Sequence, residues 1–121
     1  DEWNARRAAQ AQRYHEALGS LDLRLPVVTP GVESAWHLYV VRHAERDRLQ
    51  AELADHGIAT LIHYPIPAHH QQAYADHSFG SLPVAEQMAR EVLSLPLGPH
   101  LRPVQQERVI DVLGELLAAR T

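Results

Sequence analysis

Lysine and cysteine are both missing from this 121-residue chain, and each absence removes a class of chemistry. Without lysine there is no side-chain amine to form an imine with a carbonyl compound. All eleven basic residues are arginine, and a guanidinium stays protonated and cannot take that role. Without cysteine there are no disulfides, no thiolate metal sites and no cysteine nucleophiles. That permits a reducing compartment, and a cytoplasmic location is the expectation. Positive charge is also short: fifteen acids leave a formal net charge of −4. A nucleic-acid binder needs surplus positive charge to displace counterions from phosphates, so no nucleic-acid partner is expected. No apolar run approaches the roughly 20 residues of a membrane span, so no membrane partner is expected either. Asp1-Glu2-Trp3 lacks the basic and apolar regions of a signal peptide. The single methionine is Met88, and the chain is therefore expected to begin inside a longer gene product. The sequence has no GxGxxG, GxxxxGK[ST] or GxSxG motif.

What is present is ordinary for one globular domain: 45% hydrophobic and 21% charged residues, in a length that buries a single core. Trp3 to Leu18 reads as a helix rich in Ala, Arg, Gln and Glu, stopped by Gly19. Leu21 to Val28 alternates apolar residues up to Pro26 and reads as an extended or edge segment, followed by a turn at Thr29-Pro30-Gly31. Ala35 to His43 alternates as a strand does. A helix is expected over Glu45 to His56 with Leu49 and Leu53 inward, then a strand over Ile58 to Ile62. Pro65 and Pro67 exclude helix interior and central strand, and a helical turn is expected near His70 to Tyr74. Pro83 suits the first turn of a helix running to about Leu93, with Val84, Met88 and Val92 buried. Ser94 to Leu97 reads as a short strand, and Pro103 opens the last helix. The pattern predicts an α/β fold, a short sheet covered on one face by helices. The apolar faces of the first and last helices look larger than one small sheet can cover.

Nine histidines raise the question of a metal. No two lie three or four apart, so no helix presents an adjacent pair of ligands, and no metal site is assigned. His15, His43, His56 and His100 fall near element ends or on polar faces and are read as surface groups. Asp22, Asp47 and Glu86 are read as acids at helix ends, and Arg42 with Arg46-Asp47-Arg48 as surface ion pairs. His63 differs. It follows a strand end, stands beside Tyr64, and precedes the stiff Pro65/Pro67 pair. Rigid loops at strand ends collect ligand-contacting groups, but the same loop could pack on a neighbouring domain. The local sequence leaves both readings open.

Longer strings carry more information. Ser34-Ala35-Trp36-His37-Leu38-Tyr39-Val40-Val41-Arg42, Gly57-Ile58-Ala59-Thr60, His63-Tyr64-Pro65-Ile66-Pro67-Ala68-His69, and Leu82-Pro83-Val84-Ala85-Glu86 followed by Leu93-Ser94-Leu95-Pro96-Leu97 stand in order. Together they resemble the C-terminal small domain of the sugar aminotransferases of the DegT/DnrJ/EryC1/StrS family. The resemblance implies fold-type I enzymes dependent on pyridoxal phosphate (PLP) that act as homodimers. It implies a linking helix over residues 1–20 and a small α/β domain over 21–121 whose short sheet is mostly antiparallel, with the PLP-binding large domain absent from this chain. It places His63 and Tyr64, and more distantly His69, among groups lining the sugar pocket, and it places no catalytic or cofactor-binding residue here. The implied reaction moves an amino group from an amino acid, L-glutamate, through PLP to a nucleotide-linked keto-6-deoxyhexose at C-3. Deoxysugar and antibiotic biosynthesis is the implied setting. A non-catalytic binding module descended from the same domain is the alternative, and a metal-binding module a third.

The absent lysine gives a direct expectation. Incubation with PLP followed by borohydride reduction leaves no pyridoxyl mass on any internal residue, once the N-terminal amine has been blocked. An internal adduct seen by mass spectrometry would contradict it.

Overall fold

The structure, a computed structural model, describes residues 1–118; positions 119–121 of the expected small domain lie outside the described residues. The first helix, α1 (Glu2–Leu18), turns Ala11, Tyr14 and Leu18 inward. These positions are three and four apart, the spacing of one helix face. The last helix, α4 (Pro103–Ala118), answers with Val109, Val112, Leu113 and Leu117. The two helices pack on one another, while Trp3 on α1 and Val104 on α4 stay exposed. Two polar ties fix their register. Arg13 donates from Nε and Nη2 to the two carboxylate oxygens of Glu107 at 2.7 and 2.8 Å, and the buried Gln106 amide donates to the Gln10 carbonyl at 2.7 Å.

The sheet has two strands, β1 (Tyr39–Arg42) and β2 (Val92–Leu95), antiparallel in the register Tyr39↔Leu95 to Arg42↔Val92. Alternation sends Tyr39, Val41, Leu93 and Leu95 into the core with the helices. The expected segments at 21–28 and 58–62 reach the sheet at single points. Arg24 bridges to Arg42 on the outer edge of β1, and Leu61 to Ser94 on the outer edge of β2. Both are antiparallel, so four tracks of chain lie side by side where a two-stranded ribbon alone would be marginal.

Three expectations shift. The strand predicted from Ala35 is regular only from Tyr39, because Trp36 adopts φ +48°. By parity Trp36 belongs opposite Tyr39; the left-handed residue cancels the alternation, and its ring stacks on Tyr39 at 5.6 Å between centroids and meets His15 at 5.7 Å. The third helix, α3 (Pro83–Glu91), stops before Val92, which joins β2, and Val84 and Met88 are exposed while Ala89 is buried. The second helix, α2 (Arg46–Asp55), buries Leu49 and Leu53 as predicted. Arg46, however, is buried, donating from Nη1 to the Val92 carbonyl at 2.8 Å. His43 is buried too, its Nδ1 accepting the Glu45 N–H at 3.0 Å.

Tyr14 closes the arrangement. It is fully buried against Tyr39, and its hydroxyl donates to the Pro96 carbonyl at 2.7 Å, linking α1 to the end of β2. Burial pushes its phenol well above the ordinary value and lifts Tyr39 to about 12.

The carboxylates set the acid limit. The hydrogen bond from Arg13 holds Glu107 below its ordinary value; hydrogen bonds from Gln87 and then Arg42 do the same for Glu91. A depressed folded-state pKa stabilises the fold above the unfolded value of about 4.3, and that contribution is lost as pH falls through the folded value. The urea midpoint should therefore drop as pH is lowered past about 4.3. Glu107→Gln should lower the neutral midpoint slightly and flatten the acid drop. An acid drop as steep as in the parent would exclude Glu107 as a contributor.

Candidate functional site

The segment from Ile62 to Leu82 leaves the sheet edge at Leu61 and returns at the start of α3. Its path follows from its prolines and from short helical turns. Pro65 and Pro67 forbid ladder donors, and 3₁₀ turns form at Ala68–His70 and Gln72–Tyr74. The Gln71 amide donates back to the Ile66 carbonyl at 3.0 Å.

His63 and Tyr64 stand together, their rings edge-on at 5.4 Å, across a cis peptide bond. They face different ways. His63 is half-buried, with Nδ1 2.9 Å from the Ser94 hydroxyl. Ser94 is itself buried on the sheet face opposite the helices, so the imidazole is pinned to β2. Tyr64 is 70% exposed, and no protein partner of its hydroxyl occurs among the described residues. The pair thus offers one fixed imidazole and one outward phenol.

His69 turns elsewhere. Its side chain is 6% exposed and its Nε2 lies 2.9 Å from Glu86 Oε1 on α3. Glu86 also accepts the Leu82 N–H at 2.9 Å. That hydrogen bond first, and the one from His69 second, hold its carboxyl below the ordinary range. His69 therefore anchors the segment to the N-terminus of α3. His70 stands next to it, half-exposed, its ring 4.1 Å from that of His69. Among the described residues His69, His70 and Glu86 are the cluster whose ligand atoms lie within 4.8 Å of one another.

Ser94 and Glu86 were not singled out as site residues by sequence reasoning. Glu86 carried a partial signal, since an acid in the first turn after Leu82-Pro83 is a capping position. Ser94 carried none, because its role depends on a partner thirty-one residues away. A larger concavity lies apart from this loop. It is a groove of about 1080 Å³ between α1, at Ala5, Ala8 and Gln12, and the extended segment at Val28, Val32 and Trp36. A smaller cleft of about 290 Å³ runs between Pro65–Pro67 and α3, with His70, Glu86 and Arg90 on its walls.

With that geometry in hand, comparison with known proteins is specific. The model of the DegT/DnrJ/EryC1/StrS aminotransferase family matches residues 1–114. The erythromycin biosynthesis sensory transduction protein EryC1 of Saccharopolyspora erythraea is 51% identical over 116 residues, covering 93% of this chain and 32% of that protein. The dTDP-3-amino-3,4,6-trideoxy-alpha-D-glucose transaminase of Streptomyces venezuelae is 49% identical over 118 residues, covering 95% of this chain and 31% of that protein. Among solved structures, S. venezuelae DesV in complex with a ketimine intermediate superposes with a TM-score of 0.93 at 48% identity, covering 97% of this chain and 32% of the other. The chain spans about a third of the length of these relatives.

Ser94 gives the test of the site's support. Ser94→Ala removes the His63 partner while leaving the Leu61–Ser94 backbone bridge in place. The expected cost is about 0.5–1.5 kcal/mol of unfolding free energy, with faster amide exchange at residues 62–66. Exchange there that does not change would mean the imidazole is held by something other than this hydroxyl.

Proposed function

Because the chain belongs to the DegT/DnrJ/EryC1/StrS aminotransferase family, we propose that it is the C-terminal small domain of a nucleotide-sugar aminotransferase. In this reading residues 1–20 lead in from a large domain and residues 21–121 form the small one. The observation that carries it is the match of nearly the whole chain to about a third of each relative, at close to half identity.

The residues present do not fit PLP. No lysine exists to hold it as an imine, and no arginine can substitute. The cofactor, its lysine and the recognition of the amino donor are therefore assigned to the remainder of the longer protein. The assembly is a homodimer in this proposal.

What this chain supplies is position. His63, pinned by Ser94, presents a fixed ring edge, and Tyr64 presents an exposed phenol beside it. An imidazole and a phenol can each donate to or accept from sugar hydroxyls. Held on a stiff loop, they would orient the hexose of a nucleotide-linked keto-sugar and lower the entropy lost on reaching the reactive geometry. His69 serves the loop rather than the ligand, through Glu86. The finer assignment is amination at C-3 of a keto-6-deoxyhexose with L-glutamate as donor. The C-3 position rests on the His-Tyr-Pro-x-Pro-x-His run and on the 3-amino product in the name of the Streptomyces relative; L-glutamate is carried over from the family resemblance alone.

The test separates the two halves of the reaction in the full-length protein that carries this chain. His63→Asn or Tyr64→Phe should slow amination of the keto-sugar nucleotide by up to about tenfold, the loss of one neutral hydrogen bond of roughly 0.5–1.5 kcal/mol. The half-reaction with the amino donor should keep its rate. Stopped-flow absorbance follows each half separately. Equal loss in both halves, or loss in neither, would make this loop structural and overturn the assignment of His63 and Tyr64 to the sugar; a full-length protein that carries out neither half would leave the non-catalytic module as the better reading.

A further inference from the structure

We propose that His69, His70 and Glu86 form a binding site for a divalent transition-metal ion of the zinc class. Two imidazoles and one carboxylate are the donor set that suits zinc, cobalt and nickel, and that magnesium and calcium do not favour. Ligand atoms about 2.0–2.2 Å from a tetrahedral ion lie roughly 3.4 Å apart. Here His69 Nε2 is 2.9 Å and His70 Nε2 3.9 Å from Glu86 Oε1, values on either side of that spacing. All three atoms lie within 4.8 Å.

The parts are unequally fixed. His69 and Glu86 are held in place, the first by its burial and the second by the Leu82 N–H. His70 is 54% exposed, so its ring can swing inward at little cost to packing. An ion here replaces the proton shared between His69 and Glu86 and leaves at least one coordination position open toward the cleft along Pro65–Pro67. Arg90 lines that cleft. Its charge opposes a bare cation and favours one whose remaining ligand is anionic, such as hydroxide. Sequence spacing hid the set because the two histidines are adjacent on a 3₁₀ turn and the carboxylate lies on another helix. The bland alternative is that the His69–Glu86 hydrogen bond only anchors the loop.

Calorimetric titration of the untagged, metal-free 121-residue chain with Zn²⁺ at neutral pH distinguishes them, with Co²⁺ as a spectroscopic probe of four-coordination. The expected result is one Zn²⁺ per chain and a visible Co²⁺ band. His70→Ala, a change at an exposed side chain, should weaken binding at least about tenfold, since even outer-shell partners of metal ligands are worth that much. Glu86→Gln, which can still accept the Leu82 N–H, should do the same, and His100→Ala should change nothing. No saturable one-to-one binding, or binding that survives both His70→Ala and Glu86→Gln, overturns the site. The amination reading stands or falls separately, because neither His63 nor Tyr64 is a ligand.

Discussion

All four residues of β2 are buried, and the rest of the molecule is arranged around that short strand. One edge pairs with β1 and the other with the backbone at Leu61. One face meets the helical core through Leu93 and Leu95; the other carries the Ser94 hydroxyl to His63. Its first residue lends a carbonyl to the buried Arg46, and the residue just beyond its end lends one to Tyr14. A four-residue strand has few hydrogen bonds of its own, so its stability is tertiary. The loop that carries His63 is tied at its root to this strand by the Leu61–Ser94 bridge and the His63–Ser94 hydrogen bond.

The sequence made some of this legible and hid the rest for identifiable reasons. Leu49 and Leu53 and the Pro83 and Pro103 helix starts follow from periodicity and backbone chemistry alone, and they stand where predicted. The end of α3 did not, since Val92 fits a helical stripe as well as a strand and only pairing with Arg42 decides. Val84 and Met88 lie on an apolar helix stripe, yet the side they face is open in this chain. Arg46 and His43 looked like surface groups because local sequence does not show a carbonyl arriving from residue 92 or a helix start that needs an acceptor. In the site, His63 and Tyr64 were marked by the strand end and the prolines. The divergence of His69 toward Glu86 depends on a contact seventeen residues away, which spacing alone does not reveal.

This chain uses many of its polar side chains to hold its own segments together. Its polar ties fix segments in place: Arg13 to Glu107, Arg42 to Glu91, His69 to Glu86. Apolar side chains left outward gather along the stretch from Leu61 to Met88, including Tyr64, Ile66, Tyr74, Phe79 and Leu82.

The two tryptophans stand at different ends of the described structure, and this makes the chain its own optical gauge. Trp36 is half-buried at the wall of the groove, stacked on Tyr39 and edge-on to His15, whereas Trp3 is half in solvent with its edge against His100. Emission from Trp36 reports whether the left-handed bend before β1 is seated, and emission from Trp3 whether the start of α1 rests on the 98–101 turn. With either indole replaced by phenylalanine, fluorescence would follow the undocking of one end of the molecule without any attached dye.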